Sequence, residues 1–329
     1  MATSGIFSCN TTDPAATYQW EANTGGGWDN AENVLSDVSD TATRIMAVNS
    51  GVVGDTGQVR CQITTSTGGN LQTDEATLTV TQQTYSNEAQ AVIDRMTGLT
   101  VPQSDAIAAF VDAEVANGNW ALTDEMYCFA LGATNGVRGW KAINGSLTGG
   151  TFTANGLSFG AGEAAYFDTG VDAAAATNYG DTNGTISEHI QEYTYTGSST
   201  SRLMGVDDGT DIRLQVPGSG SPDLTFRVNS KGDAIAVVSQ AQIAPSLHTL
   251  QLVGGTLTYY LNDVADATTS TGSSAPSGQT IYLGIANNAG APFSTCRAHV
   301  VTSWHIGGVI DITAFKANLD TLHTALGVT

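Results

Sequence analysis

Two glutamates in the segment EHIQE, Glu188 and Glu192, have the type and spacing that first suggest chemistry. Paired carboxylates cleave glycosidic bonds when their carboxyl groups lie about 5–5.5 Å apart in retaining enzymes, or about 6.5–9.5 Å apart in inverting ones. Four residues along a strand separate the two backbones by about 13 Å, and the central position is Ile190 rather than an acid. The spacing therefore favours an exposed strand edge over a catalytic pair.

Three aspartates gather around a glycine in the segment VDDGTD: Asp207, Asp208 and Asp211. Oxygen ligands this close together suit Ca²⁺, and a plain hairpin turn accounts for the same residues equally well. Calcium is therefore the cofactor hypothesis, with the turn as its alternative. The five histidines are scattered and no cysteine has a partner two to four residues away, so the sequence contains no zinc pattern.

Aromatic side chains beside polar loops are the candidates for stacking on sugar rings. Tyr193 and Tyr195 share a strand face, while Trp140 and Tyr179 flank loops rich in Gly and Asn. We take these four residues as candidate glycan contacts, with burial in a core as the alternative for each.

The composition argues against two classes of partner. The 329 residues include 31 acidic and 11 basic side chains, for a net charge of −20, and the basic residues form no cluster. Such a surface repels phosphate backbones, so nucleic-acid binding is not expected. No run approaches the roughly 20 apolar residues of a membrane span, so membrane insertion is not expected either. The opening MATSGIFSCN has no basic region before an apolar core, which predicts a product made in a cytoplasm without export.

The elements that must position these residues are mostly short strands. Residues 1–83 alternate apolar and polar side chains between glycine-rich turns. Helical periodicity takes over in SNEAQAVIDRMTG and VPQSDAIAAFVDAEVANG, which predicts a helical linker over residues 84–118. Strand patterns return over residues 119–329 and end in one helix, DITAFKANLDTLHTALG. The sequence predicts an all-β fold with minor helices, in two β-domains.

The order of Cys9, Trp20 and Cys61 within residues 3–82 resembles an immunoglobulin-like sandwich, where such side chains lie between the two sheets. The segment DTGQVRC resembles the turn into strand F of that family, although Val59 stands where the family has its corner tyrosine. The resemblance implies that Trp20 is buried near both cysteines. A disulfide between Cys9 and Cys61 and a pair of buried thiols both stay open.

The remainder of the chain resembles a concanavalin A-like jelly roll of the laminin G or pentraxin type. The match runs in order through LSFGAGEAAYFDTG, the hairpin LHTLQLVGGTLTYYLND, TIYLGIANN and the closing strand FSTCRAHVVTSWHIGGVID. The leading helix and NWALTDEMYCFALG resemble domains of tailed-phage virion proteins. The resemblance implies a jelly roll over residues 119–329, after an immunoglobulin-like domain over residues 1–83.

By analogy with tailed-phage virion proteins, we expect a non-enzymatic structural protein on a virion surface, synthesised in the host cytoplasm. It would be a head decoration, fibre or tail component whose jelly roll binds cell-surface glycans, with other capsid or tail proteins as partners. A homo-oligomeric state is left open. The alternatives are a phage-borne polysaccharide-degrading enzyme, which the missing acid pair disfavours, and a bacterial surface adhesin, which would need an export signal.

Overall fold

The structure is a computed structural model of the chain. It describes residues 5–8, 15–23, 27–31, 38–39, 45–48, 56–79, 84–194, 201–207, 212–216, 225–229, 243–270, 275–293, 296 and 298–329. The chain divides into two compact units, Met1–Tyr85 and Ser86–Thr329. The helices predicted as a linker over residues 84–118 therefore belong to the second unit, where their apolar faces pack against its other elements.

The first unit contains two antiparallel sheets among its described residues. One has the strand order β1-β5-β4, and the other has the order β3-β2-β6-β7 with β8 also pairing with β6. The strands are β1 (Gly5–Ser8), β2 (Thr17–Asn23), β3 (Asp29–Asn30), β4 (Val38–Ser39), β5 (Ile45–Val48), β6 (Thr56–Thr64), β7 (Asn70–Gln72) and β8 (Ala76–Thr79).

Trp20 is buried close to Cys61, as the immunoglobulin resemblance predicts. Trp20 on β2 is buried and stands directly opposite the buried Cys61 on β6. The alternation of β2 places Ala22 on the same buried face, while Glu21 points outward and forms an ion pair with Arg60 at 2.8 Å. Cys9 lies outside the described residues, so its predicted relation to Cys61 stays a prediction.

Among its described residues, the second unit is a sandwich of two sheets with eight strands each. The front sheet has the order β10-β13-β21-β15-β16-β17, with β22 pairing with β15 and β23 with β22. Its strands are β10 (Ser146–Thr148), β13 (Tyr166–Asp172), β15 (Ser201–Val206), β16 (Ile212–Val216), β17 (Thr225–Arg227), β21 (Thr280–Leu283), β22 (Ala286–Asn288) and β23 (Ala291–Phe293).

The back sheet of the second unit has the order β11-β12-β24-β14-β18-β19-β20, with β9 also pairing with β24. Its strands are β9 (Thr123–Cys128), β11 (Thr151–Thr153), β12 (Gly156–Phe159), β14 (Gly184–Thr194), β18 (Ser246–Val253), β19 (Thr256–Leu261), β20 (Val264–Ser270) and β24 (Ala298–Gly307). The predicted all-β fold class, with few helices, is confirmed.

The core of the second unit lies between its two sheets. Strands of both sheets turn every second side chain inward, and the buried residues form one continuous apolar cluster. At one end the ring of Tyr127 lies 5.1 Å from Phe167 and 6.0 Å from Trp304. The hydroxyl of Tyr127 donates to the Thr169 carbonyl at 2.6 Å, which satisfies its polar group inside the core.

Helices cover the other face of the back sheet. The helices are α1 (Asn87–Ile93), α2 (Val101–Ala116), α3 (Asn119–Leu122), α4 (Gly132–Asn135) and α5 (Ile312–Ala325), with a 3₁₀ turn at Phe129–Leu131. A capping box of Thr100 and Gln103 begins α2, and Asp311 caps α5. Phe315 on α5 contacts Phe110 of α2 and His305 of β24, which joins both helices to the sheet. No helix of the described residues is long and apolar enough to cross a membrane.

Candidate functional site

The structure separates the two glutamates of the EHIQE segment. Glu188 lies on β14, directly opposite His248 on β18 and Trp304 on β24, and its side chain is fully buried. Neither carboxyl oxygen of Glu188 has a hydrogen-bond partner among the described residues, and burial raises the pKa of this carboxyl to about 8. Glu192 is exposed and accepts from Asn155 at 3.2 Å. The two carboxylates therefore share no cleft, and the predicted exposed edge holds only for Glu192.

The aromatic candidates lie in different environments. Trp140 is 2% exposed, because Phe110 of α2 packs edge-on against its ring at 5.5 Å. Tyr179 is 4% exposed and its hydroxyl donates to Asn229 at 3.2 Å inside the unit. Neither ring presents an open face, so the structure does not support the predicted stacking of sugars on Trp140 or Tyr179. Tyr193 is half-buried against the core, and Tyr195 lies outside the described residues.

The aspartate cluster is described at one position only. The Asp207 carboxylate lies 2.6 Å from the Arg202 guanidinium, and its backbone N–H donates to the Asn287 carbonyl. A carboxylate that forms an ion pair is a poor free ligand for calcium. Asp208 and Asp211 lie outside the described residues, and the described part of the chain contains no group of three or more His, Cys, Asp or Glu side chains that could hold a metal ion.

An open cleft lies at one edge of the sandwich of the second unit, and we call it the edge cleft. There the chain leaves the front sheet at β10 and enters the back sheet at β11 through Gly149 and Gly150. Both glycines have positive φ, 66° and 70°, a conformation that other residues rarely adopt. The cleft has a volume of about 560 Å³ and is lined by Thr148, Gly149, Gly150, Thr151, Ser158, Gly160, Glu163, Ala164 and Ala165.

The wall that carries Glu163 is held by a buried cysteine. The Cys296 N–H donates to the Glu163 carbonyl at 2.9 Å, and the Gly162 N–H donates to the Cys296 carbonyl at 3.0 Å. The Cys296 thiol donates to the Gly160 carbonyl at 2.8 Å, and burial raises the pKa of this thiol, which keeps its proton in place. The backbone of this loop is therefore fixed, while the Glu163 carboxylate stays exposed in the cleft.

A pair of stacked tyrosines adjoins the edge cleft on the front sheet. The rings of Tyr166 and Tyr282 are 4.4 Å apart and nearly parallel, at 11°. Thr148 of the cleft stands opposite Tyr166, and Asp168 stands opposite Tyr282. Burial and then the charge of Asp168 raise the pKa of Tyr282, so its hydroxyl stays protonated. Tyr282 is only 5% exposed and Tyr166 is half-buried, so Tyr166 carries the accessible part of the pair. We call Tyr166, Asp168 and Tyr282 the tyrosine platform.

The sequence contains a signal for the platform. In YFDTGVD the residues Phe167, Thr169 and Val171 are buried, so the alternation of β13 turns Tyr166 and Asp168 to the other face. The cleft itself forms where the chain crosses between the sheets at Gly149 and Gly150. This crossing depends on how the two sheets pack, and strand alternation in the sequence does not predict it.

The edge cleft and the tyrosine platform together offer the groups that bind saccharides. Thr148, Thr151 and Ser158 supply hydroxyls, the glycine turn exposes backbone polar groups, and Glu163 supplies a carboxylate. Tyrosine adds an apolar ring with a polar end, which suits a ligand whose faces are apolar and whose rim carries hydroxyls. A carboxylate can also donate or accept a proton in a reaction at bound substrate.

Comparison with known proteins yields matches among solved structures alone. No model of a known protein family matches the sequence, and no curated protein matches it. Trypanosoma rangeli sialidase in complex with sialic acid is 12% identical, with a TM-score of 0.45, over 95% of this chain and 54% of that one. A mutant of the same sialidase with trans-sialidase activity is 12% identical, with a TM-score of 0.45, over 82% and 44%.

A third match is domain 4 of AbnA, a GH43 arabinanase from Geobacillus stearothermophilus, in complex with arabinotriose. It is 12% identical, with a TM-score of 0.42, and the match covers 59% of this chain and 98% of that domain. The chain thus spans about half the length of the sialidases it matches.

These matches correct the functional expectation. The three structures are of sialidases and an arabinanase domain, and none of the three is a phage protein. Against this comparison, the predictions of a non-enzymatic virion structural protein and of no enzymatic activity are wrong.

Proposed function

We propose that this chain is a glycan-processing protein and that its second unit receives the saccharide in the edge cleft. This is the activity of the alternative considered from the sequence, a polysaccharide-degrading enzyme. One observation supports the proposal: a hydroxyl-lined cleft of about 560 Å³ contains the exposed carboxylate of Glu163 and adjoins the stacked pair Tyr166 and Tyr282.

The size of the site favours an oligosaccharide over a single sugar. A cleft of about 560 Å³ lies within the range of small-ligand sites, and Thr148 links it directly to Tyr166 through the β10–β13 pairing. A glycan chain in the cleft would therefore continue onto the platform, where Tyr166 can stack against the next ring.

The acidic residues set the chemistry that this site can perform. Glu163 lies in the wall of the cleft, and Asp168 is the carboxylate of the adjoining platform. Hydrolysis of a glycosidic bond needs a proton donor at the leaving oxygen and a second carboxylate as nucleophile or base. We assign the proton transfer to Glu163, because its carboxylate is the one that lines the cleft.

Polysaccharide binding and reducing-end release, measured with the same panel of neutral and acidic polysaccharides, test the proposal. Tyr166→Ala should weaken binding about tenfold through the loss of one stacking contact, while Glu163→Gln should stop release and retain binding. Tyr260→Ala on β19 and Asp266→Asn on β20 are matched controls away from the cleft. Wild-type behaviour of both Tyr166→Ala and Glu163→Gln would contradict the proposal.

A tailed-phage origin, capsid or tail partners and a virion-surface location stay predictions of the sequence resemblance. The glycan partner is part of the present proposal, and its site is the edge cleft rather than the aromatic residues first selected.

A further inference from the structure

The edge cleft contains an uncompensated negative charge. Of the nine residues that line it, Glu163 alone has a charged side chain. Its carboxylate is exposed and has no ion pair or hydrogen bond within the described part of the chain. A ligand that enters the cleft therefore meets one free carboxylate and, among the lining residues, no cation.

Gly160 determines where this charge lies. A methyl group built on Gly160 would fall 2.5 Å from the carboxyl carbon of Glu163, so the carboxylate rests directly against the backbone of Gly160. Both residues line the cleft, and the hydrogen bonds of Cys296 fix the backbone between them. The negative charge is therefore part of the cleft wall.

A second carboxylate extends the negative charge onto the tyrosine platform. One oxygen of Asp168 accepts from the backbone N–H of Gly170 at 2.9 Å. Burial and then the charge of Asp168 raise the pKa of Tyr282, so this charge acts across the platform. A glycan that continues from the cleft onto Tyr166 passes both carboxylates.

None of the basic side chains described in the second unit lines the cleft. They are Arg95, Arg138, Lys141, Arg202 and Lys316. Arg202 forms an ion pair with Asp207 at 2.6 Å, and Lys316 forms one with Asp320. The whole chain has a net charge of −20. An anionic ligand that enters the cleft would therefore lose hydrating water and gain repulsion, with no described cation to compensate it.

We propose that the edge cleft selects neutral glycans and excludes those whose rings carry a carboxylate, such as uronic and sialic acids. This inference rests on the proposed function and names the substrate class of the same site. The hydroxyl groups of a neutral ring can donate to Glu163 and accept from Thr148 and Ser158. A ring carboxylate beside Glu163 meets a like charge, which lowers affinity about fivefold at contact distance in water.

Hexaoses of cellulose, amylose, mannan and chitin, each compared with its counterpart oxidised to a carboxylate at C6, test the proposal by calorimetric titration of the full chain. Ring and linkage stay the same within each pair, so only the charge changes. In low salt, a hexaose whose binding is weakened by Tyr166→Ala should bind about fivefold or more tightly than its oxidised form. The gap should close in 1 M salt, where the screening length falls to about 3 Å. A gap that salt does not change would show that shape excludes the acid and would overturn the proposal.

Two lysine substitutions with the same effect on net charge locate the cause. Ala164→Lys places an ammonium group on the exposed lining of the cleft and should raise the affinity for the oxidised hexaose about fivefold. Ala317→Lys makes the same change at an exposed position of α5 and should leave both affinities unchanged. The proposal is overturned if both substitutions act alike.

The selection by charge and the proposed function fail in different ways. If a neutral hexaose binds and Tyr166→Ala weakens it, while the oxidised form binds the wild type equally tightly, the selection by charge alone is wrong. If no hexaose binds, or if Tyr166→Ala binds every hexaose as the wild type does, the proposed site is wrong and the selection by charge is overturned with it.

Discussion

The buried carboxyl of Glu188 predicts an unusual pH dependence of stability. Its pKa is raised by burial from 4.5 to about 8, so the folded protein holds this proton more tightly than the unfolded chain does. The stabilisation is fully present below pH 4.5 and is lost as pH rises towards 8, because the unfolded chain ionises first. At about 1.4 kcal/mol per pKa unit, the difference of 8 − 4.5 corresponds to a loss of up to about 5 kcal/mol.

Glu188→Gln removes this titration while keeping nearly the same shape. The buried amide would also face no partner among the described residues, which has a cost that does not vary with pH. Urea unfolding of the full chain at a series of pH values should therefore show a variant that gains on the wild type by up to about 1.4 kcal/mol per pH unit between pH 4.5 and 8. Glu192→Gln, an exposed change on the same strand, should show no such gain. Parallel stability curves for wild type and Glu188→Gln would refute the reasoning.

Three further predictions concern single positions. Trp20→Ala should destabilise the first unit by about 3–5 kcal/mol, visible as an earlier transition of that unit in calorimetry; an unchanged transition would contradict its burial. Glu125→Gln should destabilise the second unit by about 3 kcal/mol in urea unfolding, because an amide cannot replace a carboxylate that accepts several buried backbone N–H groups; wild-type stability would count against that role. Burial lowers the pKa of His305 to about 3, so stability should fall as pH drops from about 6.5 towards 3; His305→Gln should flatten this fall, and an unaltered slope would show that His305 does not cause it.

The strands could be predicted from the sequence because a half-buried strand records its two faces in its own alternation. The segment YFDTGVD became β13 with Phe167 and Thr169 inward, and Trp20 lies opposite Cys61 as the immunoglobulin resemblance implied. The starts of two helices could be predicted as well, because an N-cap residue acts within one turn of its helix. Ser86 and Asp311 cap the helices that follow them.

The site could not be predicted to the same extent because burial there depends on contacts between distant segments. Trp140 flanks a polar loop, but Phe110 of α2 covers it. Glu188 looks like part of an exposed edge, yet β18 and β24 flank it and enclose its side chain. The edge cleft forms where the chain crosses from the front sheet to the back sheet. The local sequence around Gly149 and Gly150 does not predict this crossing.

The central claim is that a glycan binds in the edge cleft, and a crystal structure of the full chain with an oligosaccharide it binds tests this most directly. The account predicts electron density for the sugar within hydrogen-bond distance of Glu163 and Thr148, with a ring stacked on Tyr166. Density confined to another surface would contradict the claim, as would an empty edge cleft at a concentration that saturates binding in solution.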